Sequence, residues 1–138
     1  MIEAGFVQLV QSGLAAAGVK VPGGFAIELP ENLITATVPQ AWTYRSIINV
    51  PLYFINGQDP LSMWEVQVDC CGFTMANSIT LARSIDGVLR GIWAGTLPDS
   101  DHTVVQGIFR LPSMVDGFND TNRSFVRSLE YQINYIQA

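Results

Sequence analysis

Residues 63–90 read MWEVQVDCCGFTMANSITLARSIDGVLR, and this stretch decides the fold. Trp64, Val66, Val68 and Cys70 alternate with Glu65, Gln67, Asp69 and Cys71. A period of two is the signature of a strand that buries one face. The spacing predicts a strand over Met63–Phe73. Thr74 then stands where a helix N-cap is expected, because its hydroxyl can accept a bond from the first free N–H groups. From Met75 to Leu89 or Arg90 the period changes to that of a helix. Ile79, Ala82, Ile85 and Leu89 form an apolar stripe, with Leu81 and Val88 at its margins. At about 1.5 Å per residue such a helix crosses a sheet once.

Upstream, Ile2 to Ala17 reads as a second helix. Phe6, Leu9 or Val10, and Leu14 recur at three- and four-residue spacing. Gly18 sits where a C-cap glycine belongs, and Pro22 lies just beyond. Gly13 is a weak point, since glycine costs up to about 1 kcal/mol against alanine inside a helix. Phe25–Leu29 reads as a short strand stopped by Pro30, and Glu31–Gln40 as a loop. Trp42–Ile55 reads as a strand interrupted at Pro51, which places it at an edge or at a bulge. Asn56–Pro60 carries a turn signal.

Downstream, Ile92–Asp101 reads as a loop, Thr103–Leu111 as a strand, and Met114–Asn122, rich in Asp, Gly and Asn, as a loop. Arg123–Ile136 reads as a long closing strand. Phe125, Arg127, Leu129, Tyr131, Ile133 and Tyr135 share one of its faces. The predicted order is α-β-β-β-α-β-β. Short turns between strands and helices at two separate points predict an α+β fold, a mainly antiparallel sheet with two helices on one face. The 138 residues form a single domain, 1–138, on size grounds.

Apolar residues make up 49% of the chain and charged residues only 14%, against the ~25% usual for soluble proteins. Disorder is excluded by that balance. Seven basic against twelve acidic side chains give a net charge of −5, the wrong sign for binding nucleic acid through its phosphates. Apolar runs are too short for a membrane helix, and the acidic start Met1-Ile2-Glu3 lacks the positive region of a secretory signal. Adjacent Cys70 and Cys71 point to opposite faces, so no bond between them is expected, and reduced, intracellular synthesis fits.

Catalytic groups are sparse. His102 is the only histidine, and pairing it with Cys70 or Cys71 would demand an electropositive setting that Asp69 opposes. No Cys-x2-Cys spacing, phosphate-cradling glycine loop or Gly-x-Ser-x-Gly elbow is present, so neither metal nor cofactor is expected. The carboxylates of Asp59, Glu65, Asp69, Asp99, Asp101, Asp116 and Asp120 show no spacing that singles out an acid and a base. Arg127 falls on the otherwise apolar face of the last strand. Its charge must be paired, reach water, or meet another chain. Trp42, Tyr44, Trp64, Trp93, Phe118, Tyr131 and Tyr135 are many large rings for one small domain, and they either fill the core or mark subunit contacts.

The run Trp64–Cys70, the following helix ending Val88-Leu89-Arg90-Gly91, the Asp/Asn-rich segment and the closing strand Ser128–Tyr135 together resemble the tail-terminator and tail-completion proteins of long-tailed bacteriophages. The likeness of layout covers nearly the whole chain, with Glu31–Asn56 fitting least. It implies a structural virion protein without catalytic, cofactor or metal residues, made in the host bacterial cytoplasm. Six copies would form a ring that caps the tail tube, stops polymerisation and presents the head-attachment surface. The implied partners are sister copies, the major tail-tube protein, the head-completion or connector protein and, as a further candidate, the tape-measure protein. DNA would pass through the lumen without specific binding. Alternatives are a head-completion or tail-to-head joining protein, a small hydrolase using Cys70 or Cys71 with His102, and a monomeric ligand-binding module. Contact elements are expected at Asn56–Pro60, Gly95–His102 and Met114–Asn122, with Asn56, Asp59, Asp99, Asp101, His102, Asp116, Phe118, Asp120 and Arg127 as interface candidates.

Overall fold

A computed structural model of the chain describes residues 2–30, 32–54, 57–90, 94–97, 103–120 and 122–136; side chains of residues 51–60 lie outside that description. The elements are α1 (Ile2–Ala16), β1 (Gly23–Ala26), β2 (Gln40–Phe54), β3 (Gly57–Gly72), α2 (Met75–Arg90), β4 (Gly95–Thr96), β5 (Val104–Asn119) and β6 (Ser124–Ile136). The six strands form one sheet in the order β1-β2-β3-β6-β5-β4. Every pairing is antiparallel except β1 with β2. The fold is α+β, with the expected order extended by the two-residue β4.

Both helices pack on one face. Phe6, Val10 and Leu14 of α1 and Leu81, Ile85 and Leu89 of α2 meet Trp42, Trp64, Val66, Leu129, Tyr131 and Ile133 of the sheet, all buried. Phe6 stands edge-on to both Trp42 and Trp64, at ring-centre distances of 6.3 and 5.3 Å, the arrangement favoured by the ring quadrupoles. Each indole N–H is satisfied: Trp42 donates to Gln11 Oε1 at 3.2 Å and Trp64 to Ser46 Oγ at 2.8 Å. Burial of Leu81 and only partial burial of Ile79 show that the α2 stripe is rotated toward Leu81 from the one predicted.

The helix ends follow from local chemistry. Asn77 N–H donates to Thr74 Oγ1 at 3.2 Å, and Thr74 N–H donates to Asn77 Oδ1 at 3.1 Å. This reciprocal pair is a capping box with Asn in the third helical position. At the end of α1, Gly18 has φ of 80°. Val19 N–H reaches Leu14 O at 2.8 Å and Gly18 N–H reaches Ala15 O at 3.0 Å, a Schellman closure. Gly13 has a packing reason: a Cβ there would lie 2.4 Å from Val88 Cγ1, so glycine lets α1 lie close against α2.

Two expected loops need correction. Most of Met114–Asn122 is not a loop: β5 runs on to Asn119, and Met114–Asn119 pair with Leu129–Ser124, which leaves the turn only after Asn119. Its Asp, Gly and Asn residues suggest a turn locally, but Asp116, Gly117 and Asn119 each have a cross-strand partner, and only Asp120 and Asn122 stay in the turn among the described residues. The break in β5 lies earlier, where Leu111, Pro112 and Ser113 bulge out between Arg110 and Met114. The turn expected over Asn56–Pro60 is shorter, since Gly57 and Gln58 already pair with Phe54 and Tyr53. Phe25–Leu29 is likewise cut back to a strand ending at Ala26.

Among the described residues, the opposite sheet face is covered only at one end. There Leu29 and Ile34 fold over Ala41 and Cys71, with Phe25, Leu33 and Val126 packed alongside. No helix among the described residues is long and apolar enough to cross a membrane.

Candidate functional site

Three of the predicted interface residues, Asp116, Phe118 and Arg127, fall on the β5–β6 hairpin, whose Met114 and Arg127 lie beside Ala82 and Arg83 of α2. Asp116 and Arg127 are register partners. Arg127 Nε donates to Asp116 Oδ1 at 2.8 Å and a terminal nitrogen donates to Oδ2 at 3.0 Å, a two-pronged ion pair. The guanidinium holds the Asp116 carboxyl below its usual range, and the carboxylate raises Arg127 in return. Thus the charge on the apolar face of β6 is answered by an acid on the neighbouring strand. Phe118 packs edge-on against Phe125 at 5.1 Å. Asp120 sits in the turn after β5. Asp59 falls on β3, while Asn56, Asp99, Asp101 and His102 lie outside the described residues. Of the expected contact loop at Gly95–His102, Gly95 and Thr96 form β4.

Apolar side chains are exposed along this hairpin. Phe109, Met114, Val115, Phe118 and Phe125 all reach solvent, Val115 with 61% of its surface. Val115, Gly117, Asn119, Asp120, Val126 and Ser128 border a shallow groove of about 480 Å³ on the open sheet face. A second exposed set lies across the molecule on β2 and beside it: Ile27, Ile47, Ile48 and Val50. Of the other large rings, Trp42, Trp64, Tyr131 and Tyr135 fill the core and Tyr44 packs at its margin; Trp93 lies outside the described residues.

Between these flanks the open face is polar. Glu65, Gln67, Asp69, Ser128, Glu130, Gln132 and Asn134 occupy its two central strands, β3 and β6, with no Lys or Arg on that face of either strand among the described residues. Asp69 Oδ1 accepts from Gln67 Nε2 at 2.8 Å and from Ser128 Oγ at 2.6 Å. The carboxylates of Glu65, Asp69 and Glu130 give these two strands a negative character, with Arg45 beside them on β2.

The cysteines are placed as their parity requires, Cys70 in the main core and Cys71 in the smaller cluster beneath the opposite face, both free. Burial pushes the Cys70 thiol well up. Burial also pushes Cys71 up to about 12, against a lowering hydrogen bond with Ser124. Neither site favours the thiolate that nucleophilic chemistry requires. No group of three metal-ligand side chains is present among the described residues.

One polar cluster escaped the sequence reading. Asp86 of α2 points into the sheet, where its Oδ1 accepts from Tyr131 OH at 2.8 Å and its Oδ2 from Arg110 at 3.3 Å. Arg90, one turn along the helix, closes an ion pair on the same oxygen. Burial and the Asp86 carboxylate both push the Tyr131 phenol far up. The available signal was an acid beside Ile85 on the core side of the helix, but its partners on β5 and β6 are set by non-local register. The cluster ties α2 to the sheet just before the exposed hairpin begins.

The chain matches no protein-family model and no curated protein.

Proposed function

We propose that this chain is a structural subunit of a long-tailed bacteriophage virion, a tail terminator. Six copies close into a ring that caps the tail tube, halts its polymerisation and offers a surface to the head-side connector. The observation that carries this reading is where the apolar surface lies: on the β5–β6 hairpin and on the flank of β2, at opposite sides of one sheet. Exposed apolar residues in such numbers mark contact surfaces more often than ordinary solvated ones. Two separated patches on one subunit suit a head-to-tail contact that closes into a ring. Six weak contacts then act together through effective concentration.

Termination needs two unlike ring faces, one matching a tube subunit and one refusing it. The hairpin, stiffened by the Asp116–Arg127 pair, is the candidate element for reading the tube end. A rigid sheet can position such an element for recognition. The acidic and amide-bearing middle of the open face, on β3 and β6, is suited to border a DNA path, with Arg45 of β2 at its margin. The partners on this reading are sister copies, the tube protein, the connector and the tape-measure protein.

Deletion of the gene from the parent virus, followed by electron microscopy, tests the reading. Tails of uncontrolled length support a terminator. Tails of normal length lying free beside full heads indicate a joining protein instead. Intact virions would refute any role in tail assembly.

A further inference from the structure

The two exposed apolar flanks also lie along the two edges of the sheet that have no partner strand among the described residues. β1 leaves β2 abruptly. Ile27 N–H still donates to Tyr44 O at 2.8 Å, but Glu28 N–H then turns back to Ala26 O at 2.8 Å. Between them Ile27 has φ of 70°, a left-handed conformation that a β-branched residue adopts only under constraint. Strain of this kind tends to persist where it serves a contact or a function. Here its effect is to stop β1 at Tyr44, so that among the described residues no strand pairs with the outer side of β2 from Arg45 onward. At the other side, β4 covers only Val104 and Val105, and the outer side of β5 is unpaired from Gln106 to Phe118 among the described residues. Long open edges with apolar side chains invite another strand.

The two edges fit each other. The strands β2, β3, β6 and β5 alternate in direction, so β2 and β5 run oppositely. A second copy turned about an axis along the strands therefore brings its β2 antiparallel to the first copy's β5, the geometry of an ordinary ladder. The register supplies the side chains. Ile48 pairs with Glu65, Glu65 with Gln132, and Gln132 with Phe109. That single row ends in an exposed isoleucine at one edge and an exposed phenylalanine at the other, both on the open face. Continued without stagger into a second copy, the row sets Phe109 beside Ile48, the aromatic and β-branched neighbours that stabilise cross-strand pairs. Pro51 on β2 and the bulge at residues 111–113 on β5 bracket the row and keep the ladder short.

We infer that the β2 edge of one copy pairs with the β5 edge of the next, so that the sheet continues from subunit to subunit. The contact stands on the two edges alone. Only its closure at six copies rests on the ring reading above.

The test uses two full-length variants. One carries Ile48→Lys and Val50→Lys and blocks the β2 edge; the other carries Phe109→Lys and blocks the β5 edge. Mass is measured by light scattering up to millimolar protein, with circular dichroism confirming that each variant folds. Wild type is expected as a closed oligomer, each variant alone as a monomer, and the equal mixture as a dimer and nothing larger, because one good edge remains on each partner. A monomeric wild type, a variant with wild-type mass, a variant that dimerises alone, or a mixture of two monomers would each overturn the pairing. Serine at the same positions repeats the test should a lysine variant fail to fold. If wild type and both variants assemble alike, the edge pairing fails while the ring reading stands. If the edges pair as inferred but the gene deletion leaves tails unchanged, the pairing stands and the terminator reading fails.

Discussion

Replacing Asp86 with alanine removes the acceptor on which three side chains converge. Tyr131 is fully buried, so its hydroxyl, now 2.8 Å from Asp86 Oδ1, is left without that partner. A buried donor stranded in this way costs about 1–3 kcal/mol. Arg110, about one-third exposed, and Arg90, two-thirds exposed, can turn to water, so each adds no more than about 0.5–1 kcal/mol. Relief of the buried carboxylate's own desolvation offsets part of this. The net expectation is a loss of about 2–3 kcal/mol. With an unfolding entropy of about 2.1 cal/mol/K per residue, 138 residues convert that loss into a fall in Tm of about 7–10 °C. Urea unfolding of wild type, Asp86→Ala, Tyr131→Phe and the double variant measures it. The double-mutant cycle should give a coupling of about 1–2 kcal/mol between the two residues. A loss below about 0.5 kcal/mol for Asp86→Ala, or strict additivity in the cycle, would refute the reasoning, since surface changes alone produce effects of that size.

Gly13→Ala should destabilise by about 1–2 kcal/mol although alanine is the better helix former, because the new methyl meets Val88 at 2.4 Å; a rise in Tm would show that the helices can part without cost. Thr74→Ala should cost about 1 kcal/mol in chemical denaturation by removing the cap of α2, with Thr74→Ser nearly neutral. Cys71 is raised from its ordinary value of 9 to about 12, so its contribution is complete below pH 9 and is lost as pH rises from 9 toward 12, at about 1.4 kcal/mol per pH unit. Urea midpoints at pH 8 and pH 10 should therefore differ more for wild type than for Cys71→Ala.

Much of the framework is legible from local pattern. The alternation Trp64–Cys71 marks β3, and the change of period after Thr74 marks α2, because both are amphipathic elements whose burial matches their own repeat. Gly18 and Thr74 act through neighbours within a few residues, so their roles can be read directly. The hairpin is different. Asp116-Gly117-Phe118-Asn119 has turn composition, and only its pairing with β6 makes it a strand. Asp116 was singled out without its partner, since the Arg127 guanidinium reaches it across a register that no local signal encodes. The same holds for Asp86, which α2 carries beside its apolar stripe until Tyr131 and Arg110 supply its bonds. The bare edge of β2 depends on one backbone angle at Ile27, which composition does not reveal.

The most direct measurement is the length of tail tubes polymerised from the parent virus's tube protein with and without this chain, imaged by electron microscopy. A terminator leaves tubes shorter than the untreated control, each bearing one ring of this protein at the same end. Tubes of unchanged length with no density at their ends would contradict the account.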